Sequence, residues 1–405
     1  MHQRPYYQQI YQELSRDQAM IFLAGARQSG KTTFAQSMAR RQAQFIYANW
    51  DIVADKKKIL ANPVFFQDIN RTGREKPLVI LDEIHKYRHW KNYLKGIYDQ
   101  CHADYEFLIL GSGRLDVFQK GGDSLAGRYR LLHFFPLTIA ELAGKQTDFD
   151  AFYRDPLAIH PSSDGLTALW GQLSRLSGFP DPFFSATQKK YRRWASIYAQ
   201  QLIREDIRNM TLIKDIDSVE SLYGLLGTRV GNPLSISNLA NDLGVSFNAV
   251  KEWLEIFERF YLIFRISPWT LKVARAILKE QKMYLYDYAQ IDDEAARFEN
   301  MTALELWRAV CHWNDLGLGK FTLHYIRNKE KQEVDFVVAD KNKPFLFIET
   351  KLTATQISSH LYKFQALFDV PVVQLVYTPG ICQIKNNGAR KILVITASQW
   401  LARLP

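Results

Sequence analysis

From Ala19 to Phe135 short apolar runs alternate with longer stretches whose apolar positions recur at helical spacing, the rhythm of a parallel sheet covered by helices. Five strands are expected: Met20 to Ala24, Phe45 to Ala48, Leu78 to Leu81, Phe107 to Leu110 and Leu131 to Phe135. The stretch from Gly30 to Arg41 has good helix formers and no proline, and reads as a helix. After Pro136 the strand signal fades into a mostly helical region, broken by turn residues at Pro161, Ser162, Ser163, Asp164 and Gly165 and again at Gly178, Phe179, Pro180, Asp181 and Pro182. Ser235 to Trp269 reads as helix, tight turn at Gly244, helix, and the strand-like run Tyr261 to Phe264. From Lys282 strands return, at Met283 to Tyr286, Leu323 to Tyr325, Val334 to Val338, Phe345 to Ile348, Val372 to Tyr377 and Ile392 to Ile395. This pattern divides the chain into 1–145, an α/β unit; 146–215, a helical lid or connector; 216–270, with the outline of a winged helix; and 271–405, a second α/β domain. No repeat of fixed period interrupts it.

Composition narrows the class. Hydrophobic residues make up 47% and charged residues 23% of the 405, ordinary globular values that exclude wholesale disorder and fibrous architectures. The formal net charge of +10 favours an acidic partner such as nucleic acid or a phosphate-rich ligand. Cys101, Cys311 and Cys382 lie far apart with no CxxC pair, so neither a disulfide framework nor a zinc ribbon is available. The N-terminus has no apolar leader, and no apolar run approaches the ~20 residues that span a bilayer, so a soluble, cytoplasmic chain without membrane contact is expected.

The strongest chemical signal is Gly25-Ala26-Arg27-Gln28-Ser29-Gly30-Lys31-Thr32, a complete GxxxxGK[ST] between an expected strand and an expected helix, with Thr33 next. Gly25 and Gly30 let the backbone turn so that successive N–H groups and the helix N-terminus face phosphates. Lys31 supplies charge to the β- and γ-phosphates of ATP, and the Thr32 hydroxyl is placed to ligate Mg²⁺. A second motif, Leu78-Val79-Ile80-Leu81-Asp82-Glu83, is an apolar strand ending in two carboxylates. Asp82 is expected to hold the Mg²⁺ and its water shell, and Glu83 to polarise the attacking water.

With these motifs the chain resembles the AAA+ branch of the P-loop (ASCE) ATPases, in particular the group in which an N-terminal ATPase is fused to a C-terminal domain of the DUF4143 type. The resemblance is also carried by Asp82-Glu83-Ile84-His85 with Trp90 downstream, Leu110-Gly111-Ser112-Gly113-Arg114, Ser124-Leu125-Ala126-Gly127-Arg128, and Phe135-Pro136-Leu137-Thr138 before Glu141-Leu142. It implies that Ser112, ending the fourth strand, senses the γ-phosphate. It also implies that Arg128 is either an arginine finger inserted into a neighbour's site, which would require a homo-oligomer, or a surface salt bridge. No role is assigned to Arg114, since the family often carries a small residue there.

Two elements further on bear on nucleic acid. Thr187 to Arg208 carries Lys189, Lys190, Arg192, Arg193, Arg204 and Arg208, but with aromatic interleaving limited to Tyr191 and Trp194 a solvated face is favoured over a nucleic-acid contact. The second helix of the winged-helix outline begins near Ser246, Phe247 and Asn248 and runs through Lys251, where recognition helices present base-reading residues. Glu252, Glu255 and Glu258 follow on it, and acids are repelled between phosphates, so a structural or protein-contacting role is favoured over DNA reading. Trp253, Leu254, Phe257 and Phe260 form its apolar stripe.

In the C-terminal domain Asp335 lies on one strand and Glu349 and Lys351 end the next, with a hairpin turn from Asp340 to Pro344 between them. Glu349 and Lys351 are two apart, share a strand face and are expected to converge on Asp335. Two carboxylates for Mg²⁺ and a lysine to activate water suit phosphodiester hydrolysis; the alternative is a hairpin with solvated charges. The pattern resembles the PD-(D/E)XK nuclease core, a restriction-endonuclease-like fold that the resemblance to DUF4143 domains also implies. Glu299 matches the additional acid of such folds and is a further metal ligand under this reading, while Arg327 and Glu333 match positions without an assigned role.

Three readings follow. An AAA+-like module binds and hydrolyses Mg-ATP to drive or gate a C-terminal module that handles DNA or binds a protein partner; or the chain is an ATP-regulated, Mg²⁺-dependent endonuclease; or it is a non-enzymatic nucleotide switch that presents the winged helix to a protein.

Overall fold

The computed structural model describes residues 3–71, 73, 75–112, 125–144, 147–160, 165–208, 213, 215–270, 281–353 and 356–405. The expected break at Pro161 to Asp164, together with Gly113, Arg114 and Ser124, lies outside the described residues, as does the side chain of Ser112. The chain divides into two compact units, Met1–Pro136 with Arg259–Tyr261, and Leu137–Glu258 with Leu262–Pro405.

The first unit opens on α1 (Pro5–Ser15), where proline in the first turn supplies a helical φ at a position with no hydrogen bond to lose. There follow β1 (Met20–Gly25), α2 (Lys31–Ala39), β2 (Phe45–Asn49), α3 (Val53–Ala61), β3 (Leu78–Asp82), α4 (Trp90–Cys101), β4 (Glu106–Ser112) and β5 (Tyr129–His133). All five strands are parallel in the order β2-β3-β4-β1-β5. Both β1 and β3 are buried at every position, the reason their sequences are unbroken apolar runs. Because β4 lies between β1 and β3, the loop after β1 and the acids after β3 share the C-terminal sheet edge one strand apart, in the crevice where α/β sheets bind ligands.

The fifth strand runs two residues earlier than the apolar pattern expects. Phe134 N–H still donates to Ala24 O of β1 at 2.6 Å, but Phe135 N–H turns away to the Tyr7 hydroxyl at 2.8 Å. The Phe134 ring packs between Tyr7 and Phe34.

The second unit begins helically, with short helices at Ile139–Ala143, Phe149–Arg154 and Pro180–Ser185 and the longer α5 (Leu166–Leu176), α6 (Gln188–Gln201) running into a π-helical turn at Leu202–Ile207, α7 (Ile216–Leu226), α8 (Ile236–Leu243) and α9 (Phe247–Arg259). Ser235 and Ser246 cap α8 and α9 by accepting from Asn238 N–H and Ala249 N–H. Gly244 makes the turn between them at φ 65°, where a side chain would be strained. Tyr191 and Trp194 of α6 are buried, so its exposed cations Lys189, Lys190, Arg192 and Arg193 stand without aromatic partners among them.

An eight-stranded mixed sheet completes this unit: β6 (Ile263–Pro268), β7 (Lys282–Leu285), then α10 (Glu294–Asp315), β8 (Phe321–Arg327), β9 (Glu333–Asp340), β10 (Lys343–Lys351), α11 (Ser359–Phe368), β11 (Val372–Val376), β12 (Cys382–Asn387) and β13 (Arg390–Thr396). Its order is β12-β13-β11-β10-β9-β8-β6-β7. The antiparallel pair β6–β7, which follows α8 and α9, joins this sheet through β8. The β9–β10 hairpin closes at Lys341 and Asn342, both with positive φ, as a tight two-residue hairpin turn requires. Val334, Val337, Phe347, Leu361 and Ile392 are fully buried in one apolar cluster, each side chain contributing about 1.5–3 kcal/mol. Among the described residues no helix is long and apolar enough to cross a membrane.

Candidate functional site

At the sheet edge of the first unit the backbone from Gly25 to Gly30 wraps into a loop that needs both glycines. A Cβ on Gly25 would stand 2.0 Å from Phe134 O, and Gly30 has φ 99°. The loop is pinned from below by Arg4, a buried residue before α1 that the sequence reading did not single out. Its guanidinium donates to Ser29 O at 3.1 Å and Phe135 O at 2.9 Å and lies over the rings of Tyr7 and Phe134.

Lys31 opens α2 with its ammonium turned into the loop, donating to Gly25 O at 2.9 Å and Ala26 O at 2.7 Å. Burial lowers its pKa to about 8, against the opposing pull of Glu83 and Asp82. Thr32 Oγ1 donates to Asp82 Oδ2 at 2.9 Å, so the hydroxyl after β1 and the carboxylate ending β3 meet across the intervening strand. The same oxygen accepts from the Tyr47 hydroxyl at 2.8 Å. Burial raises the Asp82 pKa, while the Tyr47 and Thr32 hydrogen bonds lower it. Tyr47 is a second residue the sequence did not flag, since an aromatic on an expected strand reads as packing.

Glu83 follows in the left-handed region at φ 55°, its N–H bonded to Leu110 O at 3.1 Å. Its carboxylate pairs with Lys86 at 3.1 Å, and Lys86 also holds Asp51 at 2.6 Å. The backbone of Ser112 pairs with Gly25, beside the loop. The residues present therefore suit Mg-ATP: a hydroxyl and a carboxylate already share one small polar position, and a lysine sits within a phosphate-sized turn. Thr33 is exposed on the first turn of α2. Arg27 and Gln28 lie within the loop, Gln28 at φ 61°. Arg128 is elsewhere. It precedes β5, its carbonyl accepting from Met20 N–H at the start of β1, so it sits at the sheet end opposite the loop. Its guanidinium pairs two-pronged with Asp99 at 2.6 and 3.1 Å.

In the second unit Asp335, Glu349, Lys351 and Glu299 lie close enough to interact electrostatically. Asp335 Oδ2 accepts from both the N–H and hydroxyl of Thr350, at 2.8 and 2.7 Å, and Glu349 pairs with Lys351 at 2.7 Å. Glu299, on α10, accepts from the Tyr284 hydroxyl at 2.8 Å and from Lys282 at 3.1 Å; Lys282 also meets Glu333 at 2.5 Å. Burial raises the pKa of Glu349 to about 8 and of Glu299 to about 7, with Asp335 adding to both. Lys282, Tyr284 and Thr350 were not anticipated. Among the described residues no group of three acidic, histidine or cysteine side chains is placed to hold a metal ion together, and Lys282 already supplies a positive charge to Glu299 and Glu333.

Family comparisons bear on both units. Residues 17–143 match the model of the AAA domain. Residues 169–290 match a domain of unknown function, DUF8612, and residues 296–397 match another, DUF4143. The chain joins an AAA domain to a DUF4143 domain. The AAA domain is a nucleotide-binding ATPase module, and its match ends just past β5. Curated relatives are uncharacterized: a protein of Mycobacterium tuberculosis and one of Mycobacterium bovis are each 22% identical over 89% of this chain and 76% of theirs. One from Methanocaldococcus jannaschii is 21% identical over 65% of this chain and 60% of its own. Among solved structures, a Walker-type ATPase of Pyrococcus abyssi aligns at 13% identity, 71% of this chain, 94% of that chain and TM-score 0.44. The Aeropyrum pernix ORC1 protein in complex with DNA aligns at 13%, 72%, 92% and 0.34.

Proposed function

We propose that this protein binds and hydrolyses Mg-ATP in the AAA domain and uses the cycle to drive or gate the module formed by its helix-turn-helix and DUF4143 parts. The observation that carries the reading is the 2.9 Å bond between Thr32 and Asp82, which joins the two motifs at one point on the sheet edge. Lys31 would leave the loop carbonyls to meet the β- and γ-phosphates, while Thr32 and Asp82 would hold Mg²⁺. Bound there, the ion supplies charge neutralisation at the phosphates. Glu83 would orient a water and take its proton once Lys86 releases it, and Ser112 would report on the γ-phosphate from the end of β4. An Arg128 finger requires a second copy of the chain, since in its own AAA domain the residue stands at the far end of the sheet.

The helix-turn-helix with its β6–β7 pair supports a winged helix, and the acids on α9 favour a protein contact over DNA reading. Glu258 is itself held by Arg265 at 2.6 Å. DNA remains the alternative partner that the net charge favours. The mixed sheet with Asp335, Glu349 and Lys351 supports a restriction-endonuclease-like fold used for binding.

The deciding experiment measures ATP affinity and steady turnover in the wild type, Lys31→Ala and Glu83→Gln, with and without DNA. Weak binding in Lys31→Ala and tight binding without turnover in Glu83→Gln are expected. Equal loss of binding in both would sink the assigned roles, and a wild type that binds without turnover would make the chain a switch.

A further inference from the structure

The acids of the DUF4143 cluster crowd together at a density that ordinarily calls for a bound cation, because desolvated carboxylates repel and have no water to screen them. Here the positive charge comes from the chain. Lys282 is only 1% exposed, and its ammonium lies 3.1 Å from Glu299 and 2.5 Å from Glu333, two acids brought from α10 and β9. Around it the acids have donors on one oxygen each: Tyr284 on Glu299, two bonds from Thr350 on one Asp335 oxygen, and Lys351 on Glu349, whose other oxygen is buried without a hydrogen-bond partner among the described residues. From the other side the backbone of Gly231 closes over Glu299 so tightly that a Cβ there would stand 2.8 Å from its carboxylate.

We propose that Lys282 is a built-in counter-ion that occupies the cation position of this cluster, so that the DUF4143 domain engages its partner without a metal. A divalent ion could take the position of Lys282 only by breaking both of its ion pairs and displacing a buried ammonium. Breaking a buried pair from one side strands the other charges and is strongly unfavourable. The lysine comes from β7, outside the DUF4143 match and within the preceding DUF8612 match, so the cluster is complete only when both segments are present. This inference is independent of the AAA domain and survives whether or not ATP is hydrolysed.

The test counts bound Mn²⁺ per chain by electron paramagnetic resonance in the nucleotide-free full-length protein. Wild type and Asp335→Asn are expected to bind the same number, because no ion rests on Asp335. Lys282→Met, prepared in Mn²⁺, is expected to gain about one ion per chain and to melt at a higher temperature with Mn²⁺ than without. A wild-type ion that disappears in Asp335→Asn overturns the proposal, and so does a folded Lys282→Met that gains none. If Lys282→Met does not fold, the comparison of wild type with Asp335→Asn decides alone, equal counts supporting the proposal.

Discussion

Lys31 carries two opposed demands: it must be charged to meet phosphates, yet it sits where burial disfavours charge and lowers its pKa to about 8. The free protein therefore holds a charged Lys31 below that pH and progressively loses it above. ATP affinity is expected to fall as pH rises from 7 to 9, by up to the ~10-fold or more that losing one charge-assisted phosphate contact implies. Calorimetric titration across this range checks it, and an affinity that climbs with pH would refute it. Glu83 makes a different prediction because no binding contact is assigned to it. Glu83→Gln should lower kcat by about 10²–10⁴-fold, the range typical of a lost general base, while the ATP dissociation constant stays within about 2-fold. Tyr47→Phe tests a residue that sequence alone hid. It deletes one of two donors to the buried Asp82 and should destabilise the AAA domain by about 1–3 kcal/mol in urea melts without abolishing ATP binding.

At the scale of elements, what the sequence disclosed and what it concealed separate by physical cause. The strands β1, β3 and β4 were legible because a parallel sheet buried on both faces writes itself as an apolar run, and the loop after β1 was legible because its motif is contiguous, although Gly25 answers to the distant carbonyl of Phe134. The edge strand β12 was not, since Cys382–Asn387 is exposed along almost its whole length and its two apolar residues, Cys382 and Ile384, are too few to mark a strand; its pairing with β13 is supplied by backbone bonds that any residues can make. Arg4 was hidden for another reason. Its partners Ser29 and Phe135 lie 25 and 131 residues away, so no local window contains the reason for an arginine there. The same holds for Lys282, which meets Glu299 and Glu333 across two strands and a helix, whereas the Asp335, Glu349 and Lys351 grouping could be read from one hairpin. The clamp before α1 also yields a prediction. Arg4→Met keeps the apolar stem over Tyr7 and Phe134 but removes both carbonyl contacts, and should cost about 1.5–3 kcal/mol of stability. It should also weaken ATP binding, because the Ser29 carbonyl that Arg4 holds belongs to the phosphate loop. Unchanged ATP affinity in a folded Arg4→Met would show that the loop holds its shape without the clamp.

For the molecule as a whole, the second unit concentrates buried acids: burial raises the pKa of Glu299 and Glu305 to about 7 and of Glu349 to about 8. A carboxyl whose folded pKa exceeds its unfolded value binds protons more tightly when folded. Its contribution is complete at low pH and disappears as pH rises through the folded pKa. The second unit should thus lose stability as pH rises from about 4.5 to about 8, opposite to the usual behaviour of salt-bridged surface acids. His324 and His360, whose pKa burial lowers, add an opposing rise only below the ordinary histidine value of about 6.5, so the comparison is made above it. Intrinsic fluorescence can follow this unit selectively, since only Trp50 and Trp90 of the nine tryptophans lie in the first. Urea midpoints read by fluorescence should fall from pH 6.5 to about 8 in the wild type, most steeply below pH 7, and level off above; Glu299→Gln and Glu349→Gln should each flatten the slope by removing one titrating carboxyl. A midpoint that stays level over this interval would mean that the lysines of the cluster hold these acids ionised throughout, and the cluster would then act as a fixed set of ion pairs instead of a proton-binding one.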